Sequence, residues 1–187
     1  VVGALESEVG SSVPHARVDD ALARVARAAE GARGPAAPLA AGDLTEHKAF
    51  ADAAADLAVH LLRGEQLSLY PPLDVQIVDD DVGGPYTVGP RDVFHRQLRD
   101  AAVALGPGGS KVVLVYAEPR SWKGRASLGE RSLRALERHG RGAALIVLFG
   151  HPRLVGQLPA DLPVLCAWHG QPLLQEAAAR WVAARLR

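Results

Sequence analysis

The spacing of apolar positions along this chain changes character near residue 73. Before that point the period is helical. Val18, Leu22, Val25 and Ala29 recur at spacings of three and four, with Asp19, Asp20, Arg24 and Arg27 between them. This predicts an amphipathic helix from Val18 to Glu30. Its first turn carries Asp19 and Asp20, which suit the helix dipole. Gly31 to Gly42, with Pro35 and Pro38, cannot continue the helix and reads as a linker. A second helix is expected from Thr45, whose hydroxyl suits an N-cap, through Phe50, Ala54, Leu57, Ala58 and Leu61 to a stop before Gly64. Leu67 to Tyr70 reads as a short strand ended by Pro71 and Pro72.

After those prolines, Leu73, Val75, Ile77 and Val78 form a β-branched run that ends in Asp79, Asp80 and Asp81 and a turn at Gly83, Gly84 and Pro85. A helix is expected from Arg91 to Leu105, closed by Gly106, Pro107, Gly108 and Gly109. Val112 to Val115 is apolar without alternation, as in a strand covered on both faces. The pattern then repeats: a helix from Leu128 to His139, a strand from Ala143 to Phe149, a short helix after Pro152, a strand from Val164 to Ala167 and a helix from Pro172 to Leu186. Alternation of this kind predicts an α/β fold, an open parallel sheet of four to five strands with helices on both faces, preceded by a helical extension. Residues 1–42 are expected to be that extension and its linker, the remnant of a preceding domain, and residues 43–187 an α/β sandwich domain. Val112–Val115 and Ala144–Phe149 should be adjacent parallel strands in the middle of the sheet.

The length of 187 residues suits one ordinary domain with an extension. Acidic and basic side chains balance at 21 each, which argues against nucleic acid or an anionic membrane surface as a general partner. Cys166, the one cysteine, cannot form an internal disulfide, and no run of about 18 or more apolar residues is free of charge. The expectation is a soluble domain compatible with a reducing compartment. The chain begins at Val1, has no methionine and shows no charged segment before an apolar one, so it reads as a piece of something longer.

In an open parallel sheet, ligands approach the carboxyl ends of the strands, so the loops beginning at Asp79, Ala117, Gly150 and Trp168 should share one functional edge. On that edge, clustered carboxylates at Asp79, Asp80 and Asp81 suit an Mg²⁺ ion; the alternative is a solvated turn in which one aspartate caps the next element. A phosphoacceptor of the receiver type also needs an aspartate at a middle strand end, where Ala117, Gly150 and Ala167 stand. Gly106, Gly108 and Gly109 precede a strand, so they are a turn and not a nucleotide fingerprint. No P-loop, serine elbow or zinc-helix motif occurs, and the seven histidines lack ligand spacing, so no cofactor and no metal are implied. Of the tryptophans, Trp122 and Trp168 lie near the edge, whereas Trp181 sits in an apolar helix and reads as core. The most distinctive exit is Gly150-His151-Pro152-Arg153, where Pro152 suits a first helical position and exposed amides favour an oxyanion or a sugar hydroxyl. His151 either bonds a ligand or shapes the loop. Arg120, after Pro119 in a loop with Trp122, suits packing against another domain or a polyhydroxylated ligand. The candidates for a substrate cleft or domain interface are Asp81, Arg120, Trp122, His151, Arg153 and His169.

Residues Ala144 to Leu154 (Ala-Leu-Ile-Val-Leu-Phe-Gly-His-Pro-Arg-Leu), then Leu158-Pro159, Val164 to Gly170 and the helix from Pro172 with Gln175, Glu176 and Ala177 resemble the last part of glycoside hydrolase family 3. Arg17 to Arg24 is similar to the helix closing that family's barrel, and His47 to Leu62 to the helix introducing its second domain. The set resembles the bacterial β-N-acetylhexosaminidase-like members. The resemblance implies the C-terminal domain of a retaining exo-glycosidase, acting on β-N-acetylhexosaminides or β-glucosides, whose catalytic groups sit on a barrel absent from this chain. Neither that branch's Pro-Gly-His-Gly segment nor its Ser-Asp context occurs here, so no catalytic residue carries over. The other reading is a non-catalytic α/β module that holds a small ligand or a protein on the same edge.

Overall fold

A computed structural model of the chain describes residues 14–31, 41–65 and 67–187. The chain divides into two units, residues 1–43 and 44–187. The described helix of the first unit is α1 (His15–Gly31), in which Leu22 and Val25 are exposed and Arg24 pairs with Asp20 one turn away. The expected linker, residues 31–42, lies largely outside the described residues. Helix α2 (Ala41–Ala58) begins four residues before Thr45, which therefore lies inside the helix and not at its cap.

The second unit is built on a five-stranded sheet in the order β1-β5-β4-β3-β2, with β1 His60–Arg63, β2 Asp74–Asp79, β3 Lys111–Ala117, β4 Ala143–Gly150 and β5 Val164–Cys166. Strands β2 to β5 are mutually parallel. As the unbroken apolar runs required, β3 and β4 are adjacent and central, with Leu114 opposite Val147 and Val115 opposite Leu148.

Alternate side chains of these two strands feed two separate cores. Val112, Leu114, Tyr116, Leu145, Val147 and Phe149 pack with Phe94 and Leu98 of α3 (Val93–Asp100) and with Ala177, Ala178, Ala179 and Val182 of α5 (Pro172–Ala183). The run of alanines lets α5 lie close to the sheet. Val113, Val115, Ile146 and Leu148 pack on the other face with Leu128, with Leu136 of α4 (Glu130–His139), and with Leu154 and Leu158.

Four local expectations are corrected. The second helix does not run on through Leu61: it ends at Ala58, and His60–Arg63 is an edge strand antiparallel to β5, so the sheet is mixed. The open hydrogen-bonding edge of β5 outweighs the helical spacing of Leu57 and Leu61. Leu67–Tyr70 forms no strand, only an isolated bridge from Leu69 to Leu186. The helix expected over Arg91–Leu105 is shorter: the chain turns at Ala102, with a φ of 57°, and Leu105 bridges Leu73. Finally, of the apolar positions that mark α2, Phe50 and Leu57 are exposed, whereas Ala55, outside that set, is buried. The segment after Pro152 forms a 3₁₀ turn over Pro152–Gln157. No helix among the described residues is long and apolar enough to cross a membrane.

Candidate functional site

Because β2 to β5 run parallel, Asp79, Ala117, Gly150 and Cys166 end on one side of the sheet. Antiparallel β1 brings its first residue, His60, to the same side opposite Cys166. The loops leaving this edge carry an ion-pair network that replaces both sequence readings of the acidic run. Asp80 and Asp81 are buried, not solvated. Lys123, itself buried, stands where a metal ion would: its Nζ donates to Asp80 Oδ2 at 3.1 Å, Asp81 Oδ1 at 2.6 Å and the Glu118 carbonyl at 3.0 Å. Arg91 bridges Asp79 and Asp81, at 2.8 and 3.0 Å, and lies over the Tyr116 ring at 4.1 Å from its centroid. Arg125 holds Asp80 at 2.9 Å. The other oxygen of Asp80 accepts the amide of Gly129, just before α4, and the Ser132 hydroxyl. Asp80 thus supports α4, from a buried position, and not α3, the element that comes next after the acidic run.

The network extends across the edge through Glu118. Its amide donates to Asp81 Oδ1, and its carboxylate accepts from Arg120 at 2.6 Å and from the Gly170 amide at 3.1 Å, with His169 Nδ1 also 3.1 Å away. Gln175, fully buried in α5, donates to the carbonyls of Pro90 and Gly170 and accepts from the Tyr116 hydroxyl. Burial pushes the Tyr116 hydroxyl well above its ordinary pKa, so it remains a neutral donor.

The sequence candidates thus separate into two groups. Asp81, Arg120 and His169 are tied together through Glu118 as parts of the network. Trp122 is half-buried over Gly84, where an added Cβ would come within 2.3 Å of the indole, so glycine is needed at that position. His151 and Arg153 line a cleft of about 210 Å³ between the exits of β3 and β4, together with Ala117, Lys123, Arg125 and Leu154. His151 caps the 3₁₀ turn, its Nδ1 accepting the Arg153 amide at 3.1 Å. Beside the cleft stands Trp168, with a φ of 60°, a backbone region unfavourable for a bulky residue. Its indole donates to the Ala58 carbonyl and lies between His60 and His151, at ring distances of 6.0 and 6.4 Å.

Sequence reasoning missed Arg91, Glu118, Lys123, Arg125, Ser132 and Gln175. Two signals pointed to them: Lys123 is one of only three lysines in an arginine-rich chain, and Gln175 interrupts an otherwise apolar helix face.

No protein-family model matches the sequence, and no curated protein matches it at a significant level. Among solved structures, a glycoside hydrolase family 3 beta-N-acetylglucosaminidase from Paenibacillus sp. str. FPU-7 superposes with a TM-score of 0.61 at 15% identity, over 99% of this chain and 40% of that one. The fold is family 3-like. The chain therefore spans less than half the length of the enzyme it resembles.

Within this family 3-like fold the acidic network makes stability depend on pH. Burial raises the pKa of Asp80, but hydrogen bonds from Arg125, Ser132, the Gly129 amide and Lys123 outweigh it and bring the carboxyl from 3.8 to about 2. A depressed folded-state pKa contributes stability that is complete above the unfolded value and is lost as pH falls through the folded one. The window is therefore about pH 4 down to 2, and the size about 2 kcal/mol. The denaturation free-energy difference between the unmodified chain and Asp80→Asn should shrink across that window; a constant difference would refute the linkage.

Proposed function

We propose that this chain is the α/β sandwich domain of a family 3-like retaining exo-glycosidase, cleaving β-N-acetylhexosaminides or β-glucosides. In this role it supports a separate catalytic barrel and borders its substrate cleft with the carboxyl edge of the sheet. The extension over residues 1–42 is then the end of the barrel region, and residues 43–187 are the sandwich. The observation that carries the proposal is the agreement of nearly the whole chain with 40% of a family 3 beta-N-acetylglucosaminidase. A portion of that enzyme larger than this chain has no counterpart here, which leaves room for a barrel as partner.

The chemistry of the edge fits a supporting role. Retaining hydrolysis needs two carboxyl-type groups about 5 Å apart, one of them able to give up and take back a proton near neutral pH. Asp79, Asp80, Asp81 and Glu118 are each held by a cation, and Asp80 titrates far too low to act as an acid. The isolated chain is accordingly expected to leave chromogenic N-acetylglucosaminides and glucosides intact; turnover abolished by a mutation within the chain would overturn this.

The bordering role is tested in an enzyme carrying the barrel. Changing both His151 and Arg120 to Ala is expected to lower kcat/KM about tenfold, about 1.4 kcal/mol of transition-state binding. Arg120 also neutralises Glu118, so a thermal melt must first show that the double variant is folded. An unchanged kcat/KM in the folded variant would mean that the edge supports the barrel without touching substrate.

A further inference from the structure

The cleft between the exits of β3 and β4 has a charge imbalance that the ion-pair network does not absorb. Its lining holds two carboxylates, Asp80 and Glu118, and three permanent cations, Lys123, Arg125 and Arg153. Asp80 is matched by Lys123 and Arg125, and Glu118 by Arg120 from outside the lining. Lys123 is spent on three acceptors and nearly inaccessible. Arg153 is different: it is exposed, and among the described residues its guanidinium has no carboxylate or carbonyl partner. One uncompensated positive charge therefore faces the cleft. His151 adds a neutral donor, since its Nδ1 accepts the Arg153 amide and the ring proton in that tautomer sits on Nε2. The remaining surface comes from Ala117, Pro119, Ala126, Ser127 and Leu154 and is mostly apolar.

From this combination we infer that the cleft binds a small monoanionic organic carboxylate, with the carboxylate on Arg153 and the hydrocarbon body over Ala117, Ala126 and Leu154. A guanidinium matches a carboxylate with two parallel hydrogen bonds. A single spare cation beside two fixed carboxylates matches one negative charge better than the two of a phosphate. The apolar floor rewards a carbon skeleton, which an inorganic anion lacks. The volume of about 210 Å³ is below the roughly 300–1,000 Å³ of drug-sized sites, so the ligand, or the inserted part of a larger one, is small. All of these residues belong to one unit of this chain, so the inference does not rest on the glycosidase reading.

The test titrates the whole chain with sodium butyrate, its neutral isostere butyramide and inorganic phosphate, read by amide NMR. Butyrate should shift the amides of Ala117, Ala126 and Leu154 saturably, with butyramide and phosphate each at least about tenfold weaker, and Arg153→Gln should weaken butyrate by about tenfold or more while the melting temperature holds. Absence of a saturable shift, equal binding of butyramide, tighter binding of phosphate, or unchanged butyrate affinity in folded Arg153→Gln would each overturn the inference. None of these outcomes bears on whether a barrel precedes the chain.

Discussion

Replacing Val147 by Asp is expected to lower the unfolding free energy by about 4 kcal/mol or more. Val147 is fully buried at the centre of β4, opposite Leu114 of β3 and Leu165 of β5. Its side chain lies in the core that also holds Phe94, Tyr116 and Ala178. The Tyr116 hydroxyl of that cluster is already given to Gln175, so an introduced carboxylate must be buried without a partner or be protonated. Since domains are stable by only about 5–15 kcal/mol, the variant should be largely unfolded near neutral pH and partly rescued as pH falls. Urea denaturation, with Val147→Ala as a control for lost volume, measures the effect. A cost no greater than that of the alanine variant would show that this part of the core is not dry.

The second large effect is expected at Lys123, where substitution by Met should cost about 3–5 kcal/mol at neutral pH although the methylene stem is retained. The Nζ joins two buried carboxylates and a backbone carbonyl. Without it, Asp80 keeps Arg125, Ser132 and the Gly129 amide, and Asp81 keeps Arg91 and the Glu118 amide, but the two charges then face each other across a desolvated gap. The carboxylates respond by binding protons more readily, so the deficit of the variant should be smaller at about pH 4 than at pH 7. Combining Lys123→Met with Asp81→Asn should recover part of the loss, a positive coupling that a double-mutant cycle in urea reads directly. Deficits equal at both pH values and additive with Asp81→Asn would mean that Lys123 contributes packing and no charge.

Both effects rest on the same division of labour in the fold. The interior of the sheet is apolar on both faces, and the buried carboxylates Asp80, Asp81 and Glu118 gather with their cations at the carboxyl edge, where the loops exchange side chains. Gly84 under Trp122 and Gln175 between the loops before α3 and after β5 hold that edge in shape. The cleft and Trp168 lie beside this rigid frame, which suits them to meet a ligand or a neighbouring domain with little reorganisation.

The sequence alone determined the parallel core of β2 to β5, because unbroken runs such as Val112–Val115 and Ala144–Phe149 have no polar face and must be covered on both sides. It also located the carboxyl edge of the sheet and the loops that leave it, since strand direction follows from alternation with helices. The tertiary structure decided what local pattern could not. His60–Arg63 continues the helical spacing of Leu57 and Leu61, and only the free edge of β5, about a hundred residues later, makes it a strand. Likewise, which face of α2 is buried depends on the surface it meets, not on its own period, and the small Ala55 is chosen over Phe50. Asp79, Asp80 and Asp81 read as exposed because burying a charge requires a partner, and their partners lie 10 to 45 residues away, in loops of no regular spacing. Periodicity reports burial for side chains whose preference is fixed by hydrophobicity; for ionised ones the preference is set by the opposite charge, which only the folded chain brings within reach.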